Sequence, residues 1–305
     1  MIVSDELFIP MKKDDLNAEA IVRPQLSYWK AAWMRLRKNK LALVGLVVII
    51  VLAAMAMIGP AISGHDYSKQ SVINKNKAPS EANWFGTDDF GRDVFTRVWY
   101  GARISLFVGL MAALIDFFIG ILYGGIAGYV GGRVDNLMMR FVDILYGLPY
   151  LLVVILLMVV MGPGLMTIIV ALSATGWIGM ARTVRGQVLQ MKSSEYVLAA
   201  KTMGAKPFYI IRKHLLPNTI GIIIVYVTLS VPTAIFSEAF LSFLGLGVQA
   251  PMASWGVMAN DGLPTILSGH WWRLFFPAFF ISLTMLAFNV LGDGLRDAFD
   301  PKQRR

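Results

Sequence analysis

Apolar positions along the chain gather into six long runs, at residues 41–58, 104–130, 141–161, 165–181, 219–244 and 274–291. The first has no polar member and stops at Gly59-Pro60, and a tight Gly162-Pro163-Gly164 turn divides the third from the fourth. A membrane-crossing helix needs roughly 20 apolar residues. In lipid every backbone amide must be satisfied within its own segment, so the runs predict helices. Pro149 in the third run and Pro232 in the fifth are tolerated where neighbouring helices re-satisfy the freed carbonyls. The expected fold class is an all-α membrane protein with six transmembrane helices. Although Ala54-Met55-Ala56 resembles a cleavage site, the first run exceeds a signal-peptide core of about 7–15 residues and follows a polar stretch. It predicts a retained helix.

Composition agrees. Of 305 residues, 56% are hydrophobic and 15% charged, with a mean hydropathy of +0.61, where a soluble domain carries about 25% charged residues. This disfavours a soluble enzyme, a disordered chain and a nucleic-acid-binding module, so no nucleic-acid partner is expected. The absence of cysteine excludes disulfides, thiol catalysis and cysteine-ligated metals.

The placement of the 28 Lys and Arg residues adds orientation. Residues 1–40, 129–140, 182–218 and 293–305 together hold 21, and the alternate loops with Arg103 and Arg273 hold 7. The positive-inside rule places the richer side in the cytoplasm, and with it both termini, as six crossings require. The expected organisation is a cytoplasmic tail over 1–40, a first transmembrane helix over 41–62 and an external loop over 63–101. A five-helix core over 102–292, including the inner loop 182–218, and a cytoplasmic tail over 293–305 complete it. Within the first tail, residues 26–40 place Trp29, Trp33 and Leu36 at helical spacing beside Lys30, Arg35 and Arg37. That pattern fits either a helix lying on membrane lipid at the inner leaflet or a plain basic flank. Gly120, Gly124 and Gly128 form a small-residue stripe that admits a second helix closely, in this chain or in another subunit.

The inner loop 182–218 carries the most information. Ser193-Ser194-Glu195 predicts a helix start, with a hydroxyl cap and a carboxylate near the positive end of the dipole. Tyr196, Ala199, Ala200 and Met203 share a helical stripe that Gly204 interrupts, and Pro207 suits the first turn of a second helix. Phe208, Ile211 and Leu215 form that helix's stripe, and Pro217 ends it. Such short tethered helices either dock into a groove on a cytosolic partner or pack on the chain's own helix ends.

The stretch Leu198-Ala199-Ala200, three residues, Gly204, nine residues, then His214-Leu215-Leu216-Pro217 resembles the EAA loop of ABC-importer permeases. Leu198 stands where that family has Glu, and His214 where it has Ile, while Glu195 is the nearest acid. The resemblance continues in Phe85-Gly86-Thr87-Asp88, Gly91-Arg92-Asp93, Tyr100-Gly101-Ala102-Arg103, Ser242-Phe243-Leu244-Gly245, Ser254-Trp255-Gly256 and Gly292-Asp293-Gly294. It covers about residues 30–301 and is closest to the C-type permease subunits of oligopeptide and dipeptide importers. It implies an ABC-importer type I permease in a bacterial inner membrane, paired with a homologous B-type permease. It also implies two cytosolic ATPase subunits that carry ATP and Mg, and an external peptide-binding protein that delivers the peptide substrate. The loop would be the coupling element, with Glu195, Ala199, Ala200, Gly204, His214, Leu216 and Pro217 as its residues. The chain has no phosphate-loop motif, so no ATP site, no cofactor and no enzymatic activity of its own are expected.

Acids inside the apolar runs are costly and mark pathways or structural pairs. Glu238, near Pro232 in the fifth run, and Asp116 in the second are the candidate pathway residues, with a packed structural acid as the other reading of each. Asp143 has Arg140 one turn away as its expected partner. Asp116 and Glu238 also occupy equivalent runs if the chain were a three-plus-three repeat, so a proton-coupled secondary transporter is the alternative. An intramembrane enzyme finds no support, because His65, His214 and His270 all lie outside the apolar runs. Trp84 and Trp255 either meet an external partner or anchor the interface. The cargo stays open between dipeptide, longer oligopeptide and nickel chelate or another ligand.

Overall fold

The computed structural model describes residues 27–300. The chain before Ser27, Pro301 and the end of the C-terminal tail lie outside the described residues. Eleven α-helices follow in order: α1 (Tyr28–Leu36), α2 (Lys40–Ile62), α3 (Val94–Val130), α4 (Gly132–Tyr146), α5 (Tyr150–Met161), α6 (Leu165–Met191), α7 (Glu195–Thr202), α8 (Pro207–Ile210), α9 (Leu216–Phe243), α10 (Trp255–Gly262) and α11 (Trp272–Phe299). Helices α2, α3, α6 and α11, with the run from α8 through α9, are each long and apolar enough to cross a membrane. No strand forms among the described residues.

The third expected span is not one helix. It divides at Gly147-Leu148-Pro149 into α4 and α5, inclined by 82°. Pro149 restricts the residue before it to extended backbone, which breaks the helix there. Helix α5 has 12 residues, about 18 Å at the α-helical rise, against a hydrocarbon core of about 30 Å. It crosses only in company with its bent neighbour. Helix α4 is amphipathic instead, with Leu137, Phe141 and Ile144 exposed and Val142 and Asp135 buried.

One helix boundary also moves. Helix α3 begins at Val94, ten residues before the expected start, because Asp93 caps it: its carboxylate accepts from the Thr96 amide at 2.8 Å and the Thr96 hydroxyl at 2.6 Å. Helix α2 continues through Pro60 to Ile62, past the end of the apolar run at Ile58. A proline there removes a donor from the Ala56 carbonyl. Arg103 supplies it, donating to the Ala56 carbonyl at 2.5 Å and the Met57 carbonyl at 2.7 Å.

Helix α3 packs most extensively on α6, and the glycine stripe explains how. A side chain added at Gly120 would meet Met180, one at Gly124 the Ala181 carbonyl, and one at Gly128 the Arg185 carbonyl. The close neighbour of the stripe is therefore in this chain. At one end, residues 63–93 are pinned onto α3, α10 and α11. Arg92 and Arg97 reach Asp88 at 2.6 and 3.4 Å, Arg273 reaches Asp89 at 3.1 Å, and the Trp272 indole donates to the Thr87 carbonyl at 3.1 Å. Burial pushes the Asp261 carboxyl above its ordinary range, and Arg97 is the strongest of the cations opposing that.

At the other end α1 folds against α11, with Tyr28 stacked on Phe299 at 5.6 Å and Arg35 donating to the Ala298 carbonyl at 3.3 Å. Trp29 and Trp33 are half-exposed, Trp29 standing edge-on to Phe299 at 6.0 Å. The close packing of Gly294 on Ala42 and Gly128 on Arg185 puts both described chain ends and the 182–218 loop at this same end.

Candidate functional site

The loop end is built on α6, which continues past the expected 181 to Met191. Asp135 of α4 receives Arg185 at 2.7 Å, and Asp143 receives Arg182 at 2.8 Å, tying the α4 helix to the root of the loop. Asp143 therefore pairs across helices rather than with Arg140. Ser194 occupies the cap position of α7, but its hydroxyl donates backward to the Met191 carbonyl at 2.6 Å and caps nothing. Glu195, exposed in the first turn, is still favourably placed against the helix dipole.

Gly204 closes α7 with a Schellman turn. Its φ is +80°, the Ala205 amide donates to the Ala200 carbonyl at 3.0 Å, and the Gly204 amide donates to the Lys201 carbonyl at 3.0 Å. Nothing lies within 4 Å of the position a Cβ would take, so backbone conformation and not close approach requires glycine here. A left-handed alanine costs about 1 kcal/mol. Gly204→Ala is expected to raise the rate of chymotrypsin cleavage at exposed Phe208 by about fivefold; an unchanged rate would show that the turn is not strained.

Pro217 does not end the second helix. Residues 211–215 form a π turn that leads without a break into α9, and Pro217 sits within the first turn of α9. The wider turn relieves the clash a proline ring makes with the carbonyl four residues back. The Asn218 side-chain Nδ2 donates to the His214 carbonyl at 2.6 Å, and the imidazole of His214 lies between Tyr196 and Tyr209, at 6.3 and 5.9 Å between centroids. Leu216 is half-buried.

The expected stripes divide between two faces. Val197 and Ala200 of α7 join Ile210, Leu215 and the α6 residues Val184 and Val188 in one buried cluster. Tyr196, Leu198, Ala199, Met203, Phe208 and Tyr209 face outward, with Met203 81% and Phe208 70% exposed. Ala200 is thus a packing residue of the loop and not part of its open face. Lys206, Arg212 and Lys213 are exposed in the same segment, and Lys201 lies over the Tyr129 ring at 5.4 Å. An apolar patch with a polar rim is the signature of a protein-binding surface.

A second feature lies inside the bundle. Helices α3, α5, α6 and α9 enclose a cavity of about 430 Å³, lined by Asp116, Tyr150, Thr175, Tyr226, Thr233 and Ser237 among others. A further cavity of about 450 Å³ shares Tyr226 and Leu229 and continues along α9 toward Gly221 and Arg296 at the loop end. Gly176 and Gly179 let α6 approach Asp116 and the Tyr226 hydroxyl.

Glu238 is not on this wall. It is fully buried, accepting from Ser242 at 2.7 Å and Ser105 at 3.2 Å, and Ser105 in turn accepts from the Trp255 amide at 3.2 Å. The neighbouring Ser237 lines the cavity instead, and Pro232 is buried within α9. Trp255, expected at an external contact, is also fully buried, its indole donating to the Val98 carbonyl at 2.8 Å. Trp84 remains half-exposed, edge-on to Phe95. No cluster of metal-ligating side chains occurs among the described residues.

Residues 120–305 match the family described as binding-protein-dependent transport system inner membrane component, and residues 27–79 match the N-terminal TM domain of oligopeptide transport permease C. The chain is 70% identical to the dipeptide transport system permease protein DppC of Bacillus subtilis over 303 residues, covering 99% of this chain and 95% of the relative. Identity to the oligopeptide transport system permease protein OppC of the same organism is 56%, over 99% of both chains. It is 44% to OppC of Haemophilus influenzae, over 91% of this chain and 90% of the relative. These relationships overturn the proton-coupled secondary-transporter alternative, since the matched family works with a binding protein. They also make the chain a transport permease and not itself an enzyme. With its membrane-length helices, the chain is a multi-pass inner-membrane protein that belongs to the permease components of bacterial binding-protein-dependent transport systems, on the branch that holds the dipeptide and oligopeptide permeases.

Proposed function

We propose that this chain forms half of the pathway of an ATP-driven peptide importer, paired with a homologous B-type permease. Its α3, α6 and α9 helices flank the cavities, and the unpaired partner would close the open side. Two cytosolic ATPase subunits, holding ATP and Mg, drive it through the loop end, and an external binding protein delivers peptide at the opposite end, where Trp84 is exposed. In this reading the loop end and both termini are cytoplasmic. The observation that carries the reading is the outward apolar face of α7 and α8, standing among basic residues at the end of the bundle where both described chain ends lie. Apolar surface facing lipid needs no explanation; apolar surface at the aqueous end of a bundle does.

Mechanically, α7 is packed on α6 through Val197 and Ala200, and α8, which follows it after the Gly204 turn, runs into α9 by an unbroken helical path. A push on the loop therefore tilts α6 and α9 together, and these are two walls of the cavity. Asp135–Arg185 and Asp143–Arg182 carry the same motion into α4. The test is purification of the tagged chain from native membranes in mild detergent, followed by reconstitution of the captured assembly with its binding protein. Copurification of a second permease and two ATPases, with ATP-dependent uptake of a labelled dipeptide, is the expected result. Recovery of the chain without an ATPase, or uptake sustained by a proton gradient alone, would contradict it.

A further inference from the structure

Two buried polar atoms at the cavity between α3, α5, α6 and α9 have no hydrogen-bond partner among the described residues: Asp116 Oδ1 and the Tyr150 hydroxyl. Both residues line the cavity, and Asp116 is 8% exposed. Gly176 faces the carboxylate from α6, and any side chain there would collide with it. The helix thus packs against the acid without giving it a donor.

The walls offer no cation. The helices α3, α5, α6 and α9 contain four arginines, no lysine and no histidine. Arg97 and Arg103 are held at the far end by Asp88 and by the Ala56 carbonyl. Arg182 and Arg185 are held at the loop end by Asp143 and Asp135. An acid in an apolar wall marks a pathway or a partner that completes it, and the four helices that line this cavity supply no cation to it.

We propose that Asp116 and Tyr150 form a station for the α-ammonium group of a peptide in transit, an inference that rests on the cavity being part of the pathway. An ammonium carries three donors and no acceptor, and it meets a carboxylate oxygen and a phenol oxygen that both accept. The remaining wall supplies hydroxyls from Thr175, Thr233 and Ser237, which bind peptide backbone without regard to side-chain identity. The cavity is within the size range of small-ligand sites. Recognition of the one charge that every unblocked peptide shares is what a permease of broad cargo needs. A basic side chain of the paired permease is the other source of the same cation, and the test separates the two.

The chain has no cysteine, so Thr233→Cys places its only thiol on the cavity wall. In the reconstituted assembly, alkylation of that thiol by N-ethylmaleimide is followed with a dipeptide and with its N-acetylated form, each at millimolar concentration. The free dipeptide is expected to slow labelling at least about tenfold more than the acetylated one, the discrimination of roughly one ionic hydrogen bond. Asp116→Asn abolishes that difference and Tyr150→Phe reduces it, in assemblies that copurify with both ATPases as the wild type does. Equal protection by both peptides, as a subunit-supplied cation would give, overturns the station. So does discrimination that survives in Asp116→Asn, or a thiol that stays unlabelled without peptide. Uptake by the wild-type assembly is measured in the same vesicles. Its absence would defeat the pathway reading itself and is separate from these outcomes.

Discussion

Replacing Met203 and Phe208 together by aspartate stops transport while leaving the chain inserted and folded. Both side chains project from the loop end, 81% and 70% exposed, so neither change disturbs the cluster of Val197, Ala200, Ile210 and Leu215 beneath. In a docked complex they are the large apolar anchors of a small interface. Truncating such an anchor typically costs about 2 kcal/mol or more, and a buried unpaired carboxylate adds its own desolvation. The pair is expected to weaken ATPase docking by at least about a hundredfold. Peptide uptake and the stimulation of ATP hydrolysis by loaded binding protein fall together, whereas protease resistance of the membrane-embedded chain is unchanged. Normal uptake by the double variant would show that the outward face touches nothing needed for transport.

The second large effect concerns the bundle itself. Gly124→Ala is expected to destabilise the chain severely, while the same change one residue later is harmless. At Gly124 a single added methyl meets the Ala181 carbonyl of α6, and Gly120 and Gly128 on either side are closed by Met180 and by the Arg185 carbonyl. The helices cannot separate at one contact without opening the others, so overpacking of about 1–3 kcal/mol or more is expected. At Gly125 the nearest foreign atom is Ile211 Cγ2, at 4.0 Å. There Ala adds about 1 kcal/mol of helix propensity. Extraction of each variant in mild detergent and size-exclusion chromatography separates the cases: Gly124→Ala loses the monodisperse peak and Gly125→Ala retains it. Equal behaviour of the two would contradict the packing of α3 on α6.

How much of this was legible in the sequence depended on whether the signal was local. Length and hydropathy located five spans, because crossing lipid imposes a requirement on each segment alone. The break at Pro149 was visible as a residue, yet apolar content on both sides concealed that the chain turns by 82°. The start of α3 at Val94 was hidden by Arg97 and Arg103, although Asp93 three residues before Thr96 is a capping signal. In the loop, the spacing of Ala199, Ala200 and Met203 indicated a helix but not its inward face, since small residues suit either side. Glu238 fits the packed structural acid, one of the two readings its position allowed, and Trp255 lies buried where a surface role was expected. Their partners Ser105 and Val98 lie far away in sequence, and nothing near them announces burial inside the protein rather than a pathway or a surface. Tyr150 and Tyr226 reach the cavity of Asp116 from separate helices, and no motif links the three.

Chemical crosslinking from Met203→Cys, in a chain with no other cysteine, is the most direct measurement of whether the loop end seats a motor. In native membranes energised with ATP, a short thiol-to-amine reagent at that position should capture an ATPase subunit, and the yield should change when hydrolysis is blocked with vanadate. The same reagent at Trp84→Cys should capture none. Capture of lipid alone at position 203, or of ATPase from position 84 instead, would contradict the account.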